Sequence, residues 1–254
     1  MNQSKILIVI PARGQSKGIP RKNLRLMAGK PLISYAIDIA LRLKSIYNAD
    51  VAVDTDDLEI AEVVSGYGVE VVMRPESLAG DAVTLDPVIY HATKEMETRQ
   101  QIKYDIVITM QATSPTLKYE TVKNALELFI EREEEDTLIS VTNSPHLSWK
   151  KKREAIVPNY TERLNRQQLP ADYKETGGFL MTRRKFVSET TRFGNNIAVY
   201  EVDSKEAVDI DTDFDWIVCE ALLSSKRIIL RTDGEEKLGM GHIYRCLSIA
   251  YHLT

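Results

Sequence analysis

Two stretches of this 254-residue chain hold residues whose types and spacing can do chemistry. In the first, Ile6–Asn23, five apolar β-formers (Ile6 to Ile10) run into Pro11. A loop follows that carries Gly14, Gly18, Ser16 and four cations, Arg13, Lys17, Arg21 and Lys22. A buried strand ending in such a loop suits a polyphosphate. Glycine lets backbone N–H groups approach phosphate oxygens, and fixed cations neutralise their charge. The plainer alternative is a strand-to-helix connection with solvated lysines. Gly14 and Gly18 are separated by three residues and followed by Ile19-Pro20, so there is no Walker A loop, and a Gly-x-Gly-x-x-Gly is absent too.

The second stretch, Ala207–Asp215, reads Ala-Val-Asp-Ile-Asp-Thr-Asp-Phe-Asp. On extended backbone Asp209, Asp211 and Asp213 project to one face, and like charges so gathered call for a cation among them. Hard oxygen ligands suit Mg²⁺ (or Mn²⁺), which uses one or two carboxylates and takes its remaining ligands from phosphates and water. A helix start competes for the same acids, because Thr212-x-x-Asp215 has the form of a capping box and acids favour a first helical turn. The row therefore divides: Asp209 and Asp211 for metal, Asp213 and Asp215 for the helix. Asp54-Thr55-Asp56 is a rival pair at the end of a predicted strand. There Asp56 is read as a ribose or metal contact, or as a cap on the next helix.

The elements that must position these residues alternate. Leu32, Ala36, Ile39–Ala40 and Leu43 mark an amphipathic helix with Pro31 near its first turn. Val51–Asp54, Val69–Met73, Tyr104–Gln111 and Leu138–Val141 read as strands, with helices near 58–67, 86–97 and 121–132 between them. This predicts a three-layer α/β domain with a mostly parallel sheet, in which ligands lie beyond the carboxyl ends of the strands. The loops at 11–23, 54–57, 74–85 and 111–116 then gather at one rim. Glu131–Asp136 reads as a solvated face, and Lys150–Arg153 as an exposed hairpin.

Composition narrows the class. A 43% hydrophobic chain of this length builds one sizeable core. A net charge of −4 gives no general reason to expect nucleic acid or an anionic membrane as partner. Ile6–Ile10 is too short for a signal peptide or a membrane span. The two cysteines, Cys219 and Cys246, offer neither a disulfide framework nor zinc spacing, so a reducing cytoplasm is the expected compartment.

Pro-Ala-Arg-Gly-x-Ser-Lys-Gly-x-x-x-Lys-Asn, from Pro11 to Asn23, closely resembles the signature loop of the acylneuraminate (CMP-sialic acid) cytidylyltransferases. The resemblance covers about residues 5–225. It implies a Rossmann-like nucleotide-diphosphosugar transferase fold that transfers CMP from CTP to a nine-carbon 2-keto sugar acid. Within it Arg13, Lys17, Lys22 and Asp211 are the expected catalytic residues, and Gly14, Ser16 and Asn23 join Arg13 and Lys22 on the nucleotide. Asp209-Ile210-Asp211-Thr212 matches the family's metal-binding pattern and supports the same division of acids. Arg74-Pro75-Glu76-x-Leu78-Ala79-x-Asp81 resembles the loop that recognises the base, which implicates Arg74 and Asp81. Gln111-x-Thr113-Ser114-Pro115 resembles a sugar-acid loop, with Ala112 where proline is usual and Leu117-Lys118 where Arg-Thr is frequent. At the first acidic pair the family more often has Ser-Thr-Asp, so Asp54 departs from it.

From Pro145 to Thr176 the alternation fades. Arg166-Gln167-Gln168-Leu169-Pro170 resembles the family's dimerisation arm, whose segment reaches the partner's active site; Arg166, Gln167 and Gln111 are then sugar contacts, with Lys150 a candidate for the sugar carboxylate. This implies a homodimer. Gly177-Gly178 stands where Asn-Gly is usual. Residues 226–254 resemble the opening of a nucleotide-sugar hydrolase of the pseudaminic acid pathway, a glycosyltransferase-B-like fold, with His242 after a Gly-x-Gly. The expected organisation is a cytidylyltransferase domain over 1–225 with its arm at 145–176, then a short start of a second domain without hydrolase activity. The alternatives are a cytidylyltransferase for the eight-carbon acid KDO, a metal-dependent glycosyltransferase using Asp54 and Asp56, and a non-catalytic nucleotide-sugar binding module.

Overall fold

The computed structural model describes residues 4–16, 18–225, 229–232 and 240–253, which leaves the expected phosphate ligand Lys17 outside the described residues. The chain divides into two compact units, Met1–Leu223 and Ser224–Thr254.

The first unit opens with β1 (Ile6–Pro11), a short β2–β3 hairpin (Leu26–Met27 and Lys30–Pro31) and α1 (Leu32–Lys44). Next come β4 (Ala49–Thr55), α2 (Leu58–Ser65), β5 (Glu70–Met73), α3 (Leu85–Gln100), β6 (Ile106–Met110), α4 (Tyr119–Glu131) and β7 (Thr137–Asn143). A separate hairpin, β8–β9 (Trp149–Lys152 and Ala155–Pro158), precedes β10 (Tyr173–Arg183), β11 (Ile197–Glu201) and α5 (Asp213–Ser224). Seven strands form one sheet in the order β11-β7-β10-β6-β1-β4-β5. β1 pairs in parallel with β4 and β6, β4 with β5, and β7 with β11, whereas β10 is antiparallel to both β6 and β7. Six strands thus share a direction and β10 alone opposes it.

The core follows from the period of two along β1. Ile6, Ile8 and Ile10 face one layer, with Ile33 and Ile37 of α1, Ile60 and Val64 of α2, and Val122, Leu126 and Phe129 of α4. Leu7 and Val9 face the other, against Ile89, Ala92 and Met96 of α3. A strand buried on both faces reads as a continuous apolar run, which is why β1 and β6 were legible without alternation. Pro31, with φ −54°, caps the start of α1, where its missing N–H costs nothing.

A third cluster bears on function. Ile19, Met27, Leu32, Ile210, Trp216 and Cys219 pack together away from the main core. Ile19, from the cationic loop, and Ile210, from the acidic stretch, are both fully buried there. Two segments nearly two hundred residues apart are held face to face by apolar burial, which leaves their charged neighbours to project beside it.

In Glu131–Asp136 the first four residues are exposed, as a solvated face requires, and the last two depart from that reading. Glu135 is buried, and Asp136 Oδ2 accepts the backbone N–H groups of Asn195 and Asn196 at 3.0 and 3.1 Å. These acids anchor the approach to β11. In the second unit, α6 (Gly241–Leu253) carries His242 in its first turn. Residues 229–232 are irregular, and Gly239 lies outside the described residues. Among the described residues no helix is long and apolar enough to cross a membrane.

Candidate active site

Lys22 stands where the two charged stretches meet. Its side chain is only 13% exposed, and its Nζ donates to the Ile210 carbonyl at 2.5 Å and lies 3.7 Å from Asp211 Oδ1. The loop approaches so closely that a Cβ on Gly18 would sit 2.5 Å from the Asp211 carbonyl oxygen, so only glycine fits. The acidic segment is fixed from its other side by Ile210 N–H, which donates to Thr113 O at 2.9 Å. The expected helix start is also there. Asp215 Oδ2 accepts from Thr212 N–H at 2.8 Å, and Asp215 N–H donates back to Thr212 Oγ1 at 3.3 Å. This reciprocal cap commits Asp215 to α5 and holds its carboxyl below the usual range, chiefly through Thr212. Asp213 sits beside Arg25 at 3.5 Å.

A cavity of about 310 Å³ opens at this point, at the carboxyl end of β1 and β6. Arg13, Ser16, Lys22, Asn23, Arg74, Asp81, Gln111, Asp209 and Asp211 all line it, so most of the residues singled out in the sequence converge on one space. Pro11, Gly80, Val83, Leu85, Val88, Ala112 and Thr113 complete the wall. Leu85 and Val88 are one helical turn apart at the start of α3, a spacing that marks a shared face but not what the face meets. A larger cavity of about 1160 Å³ lies at the opposite, amino ends of the strands, lined by Ile6, Asp105 and Arg183 among others. Several of its ionic groups pair within the protein, as in the Arg184–Glu97 pair at 2.8 Å.

The four loop cations have different fates. Arg13 Nη1 pairs with Asp81 at 2.8 Å across the cavity. Arg21 turns away, with φ 53°, and pairs with Asp57 and Glu59 on α2. Lys22 faces the acids, and Lys17 is outside the described residues. Gly14 is not on the cavity wall, and its N–H, expected at a phosphate, instead donates to Asp56 Oδ1 at 2.8 Å. Asp56 is therefore the loop's anchor in this structure, and it is Asp57 that caps α2, accepting from Ile60 N–H at 3.0 Å. Asn23 holds the loop closed by donating from Nδ2 to Arg13 O at 2.9 Å.

The acids differ as much. Asp54 is fully buried and bonded to Arg74 Nε at 2.5 Å, with His91 Nδ1 3.6 Å away. Burial pushes its pKa up while Arg74 and His91 pull it back. Asp209 is half-buried; burial raises its pKa and Asp211 adds to this, against the lowering effect of Thr113 and Lys22. Asp209 Oδ1 is buried without a hydrogen-bond partner among the described residues. An orphaned carboxylate oxygen beside a second, exposed carboxylate fits a hard divalent cation. Among the described residues no group of three or more His, Cys, Asp or Glu side chains gathers in metal-binding form, so a cation here would draw its other ligands from substrate and water.

Gly177 closes the acidic side. Its φ is +69°, and a Cβ there would lie 3.2 Å from Asp209 Oδ2 and 3.3 Å from Gln111 Nε2. The arm residues lie elsewhere in this chain: Lys150 in β8 donates to Asn159 Oδ1 at 2.9 Å, and Arg166 and Gln167 form an exposed 3₁₀ turn. None of the three lines the cavity.

The fold is that of α/β nucleotidyltransferases. It superposes on a CTP-complexed CMP:2-keto-3-deoxy-manno-octonic acid synthetase with a TM-score of 0.65 at 19% identity, covering 87% of this chain and 99% of that one. The chain itself belongs to the cytidylyltransferase family, which its residues 7–238 match. It is 33% identical over 223 residues to N-acylneuraminate cytidylyltransferase A of Danio rerio, a match that takes in 85% of this chain and 50% of that protein. It thus spans about half the length of that relative. It is 31% identical over 231 residues to the CMP-N,N'-diacetyllegionaminic acid synthase of Legionella pneumophila, covering 86% of this chain and 96% of that one.

Proposed function

We propose that this protein transfers CMP from CTP to the anomeric hydroxyl of a nine-carbon 2-keto sugar acid of the sialic, legionaminic or pseudaminic type, releasing pyrophosphate. The observation that carries the reading is the convergence of Arg13, Lys22, Asp209 and Asp211 on one cavity in a chain of the cytidylyltransferase family. The sugar's anomeric oxygen bonds to the α-phosphorus as the bond to the β-phosphate's bridging oxygen breaks. The hydroxyl proton passes to solvent, and the electron pair leaves with pyrophosphate.

Such chemistry rests on positioning and on stabilising charge. Lys22, held by the Ile210 carbonyl and shielded from water, is a fixed cation for the leaving group. The incoming triphosphate takes Arg13 from Asp81, and Lys17 and Ser16 belong to the same phosphate cradle. Asp81 and Arg74 then face the base, Asn23 orders the ribose end of the loop, and Gln111 meets the sugar acid. Asp209 and Asp211 would hold Mg²⁺ or Mn²⁺. When bound, that ion supplies Lewis-acid polarisation of the phosphate and neutralises charge.

The exposed arm supports a homodimer in which Arg166, Gln167 and Lys150 serve the partner's cavity. We read residues 1–225 as the catalytic domain, 226–254 as a separate segment, and the cytoplasm as the compartment. A pyrophosphate-release assay with CTP and a panel of sugar acids tests the reaction. Release with a nine-carbon acid supports it, while transfer from a nucleotide sugar without pyrophosphate overturns it.

A further inference from the structure

Beside the cavity, Arg74, read above as facing the base, meets two ionisable groups, Asp54 and His91, to which the reaction assigns no task. Arg74 lines the cavity, yet its side chain is 5% exposed and that of Asp54 is wholly buried. The arginine is tied down at both ends. Its backbone N–H donates to Thr55 O at 2.8 Å, Nε to Asp54 Oδ1 at 2.5 Å, and Nη2 to Asp54 O at 3.4 Å. The other carboxylate oxygen, Asp54 Oδ2, is buried and has no hydrogen-bond partner among the described residues. Facing it at 3.6 Å from α3 is His91 Nδ1, also buried and without a hydrogen-bond partner among those residues.

A buried carboxylate is expensive, and a serine at this place, as in the pattern the chain otherwise resembles, would avoid that cost. What the aspartate supplies in return is orientation. A guanidinium is a planar fork whose donors point in fixed directions, so fixing one edge against β4 aims the rest of it. His91 bears on the far oxygen of the same carboxylate and limits its rotation.

We propose that Asp54 and His91 are positioning residues for Arg74, locking its guanidinium so that its remaining donors select the base of the bound nucleotide. This rests on the reading of the cavity as a CTP site. The pair acts on affinity and base choice and leaves phosphate turnover to the loop cations and the acids.

The test is calorimetric titration of CTP and UTP into the native protein and the Asp54→Asn, His91→Ala and His91→Gln variants, with kinetics on the same samples. Asp54→Asn should weaken CTP binding about tenfold and reduce the preference for CTP over UTP, with kcat and the KM for the sugar acid within about twofold. His91→Ala should lose about threefold on the same two readouts, and His91→Gln, which keeps a polar side chain of similar reach beside Asp54 Oδ2, should recover most of it. A folded Asp54→Asn with native CTP affinity and native base preference overturns the proposal. If that variant does not fold, His91→Ala decides, and unchanged affinity and preference there overturn it equally. Native protein that binds no CTP sinks the cytidylyl-transfer reading itself, and this role for Arg74 with it.

Discussion

Two Asp-x-Asp pairs in this chain have the same spacing and opposite fates. Asp54 lies near the end of β4 and Asp56 just beyond it, where it is spent on the Gly14 N–H. Asp54 is fully buried with one oxygen on Arg74, so that its other oxygen, though without a hydrogen-bond partner among the described residues, is closed off from the solvent side. Asp209 and Asp211 precede α5, and they keep capacity in reserve. Asp209 Oδ1 has no hydrogen-bond partner among the described residues, and the Asp211 side chain is 79% exposed with Lys22 3.7 Å away. Spacing tells which face two acids share. Availability for a ligand depends on which donors the fold brings to them, and only tertiary contacts decide that.

The sharpest way to break this contrast is to remove the cation beside the second pair. Lys22→Ala should lower kcat by about 10²–10³ while circular dichroism and melting stay near native, since a fixed cation at developing charge has that worth. Turnover within tenfold of native would remove Lys22 from the site. Next come the acids themselves. Asp209→Asn and Asp211→Asn should each cost about 10²-fold in kcat and raise the Mg²⁺ concentration needed for half-maximal rate. Asp56→Asn should cost about tenfold or less with its Mg²⁺ dependence unchanged. If Asp56→Asn alone moved the metal dependence, the two pairs would have to exchange roles.

Smaller effects sharpen the boundary between site and scaffold. Gly177→Ala meets a left-handed backbone and the Asp209 carboxylate together, and should lose about 1–2 kcal/mol of stability along with part of the activity. Asp215→Ala removes a cap worth about 1 kcal/mol, so melting should fall by about 2–4 °C with kcat kept. The least effect is one of pH. Arg21 first, then the Ile60 N–H, hold the Asp57 carboxyl below its ordinary value. A depressed folded-state value contributes stability above the unfolded pKa and loses it as pH falls through the folded one. The melting gap between native and Asp57→Asn should therefore be present at neutral pH and close in acid.

Much of this was legible from residues alone, for stated reasons. Runs such as Ile6–Ile10 and the 3.6-residue pattern of α1 announce buried strands and a helix, and alternation of the two orders the sheet. The Thr212/Asp215 box is a local motif, so its sequence signature survives folding intact. The direction of β10 is not local, since an apolar run such as Phe179–Met181 reads alike whichever way it is threaded. Pairings across long separations were equally hidden. Nothing near Arg13 announces Asp81, nothing in Glu131–Asp136 announces the turn at Asn195, and His91 reads as one more position on a helix until β4 is placed beneath it.

β10 has a mechanical consequence. Because it runs against its neighbours, it enters the sheet at the end where the parallel strands leave it, with Tyr173 opposite Asn143 at the close of β7. The β8–β9 hairpin and the segment after it feed directly into that entry, and the irregular register between Glu175 and Leu180 puts Gly177 against Asp209 and Gln111. A displacement of the first residues of β10, Tyr173 to Glu175, is thus felt two residues further on at Gly177, and through it at the Asp209 carboxylate.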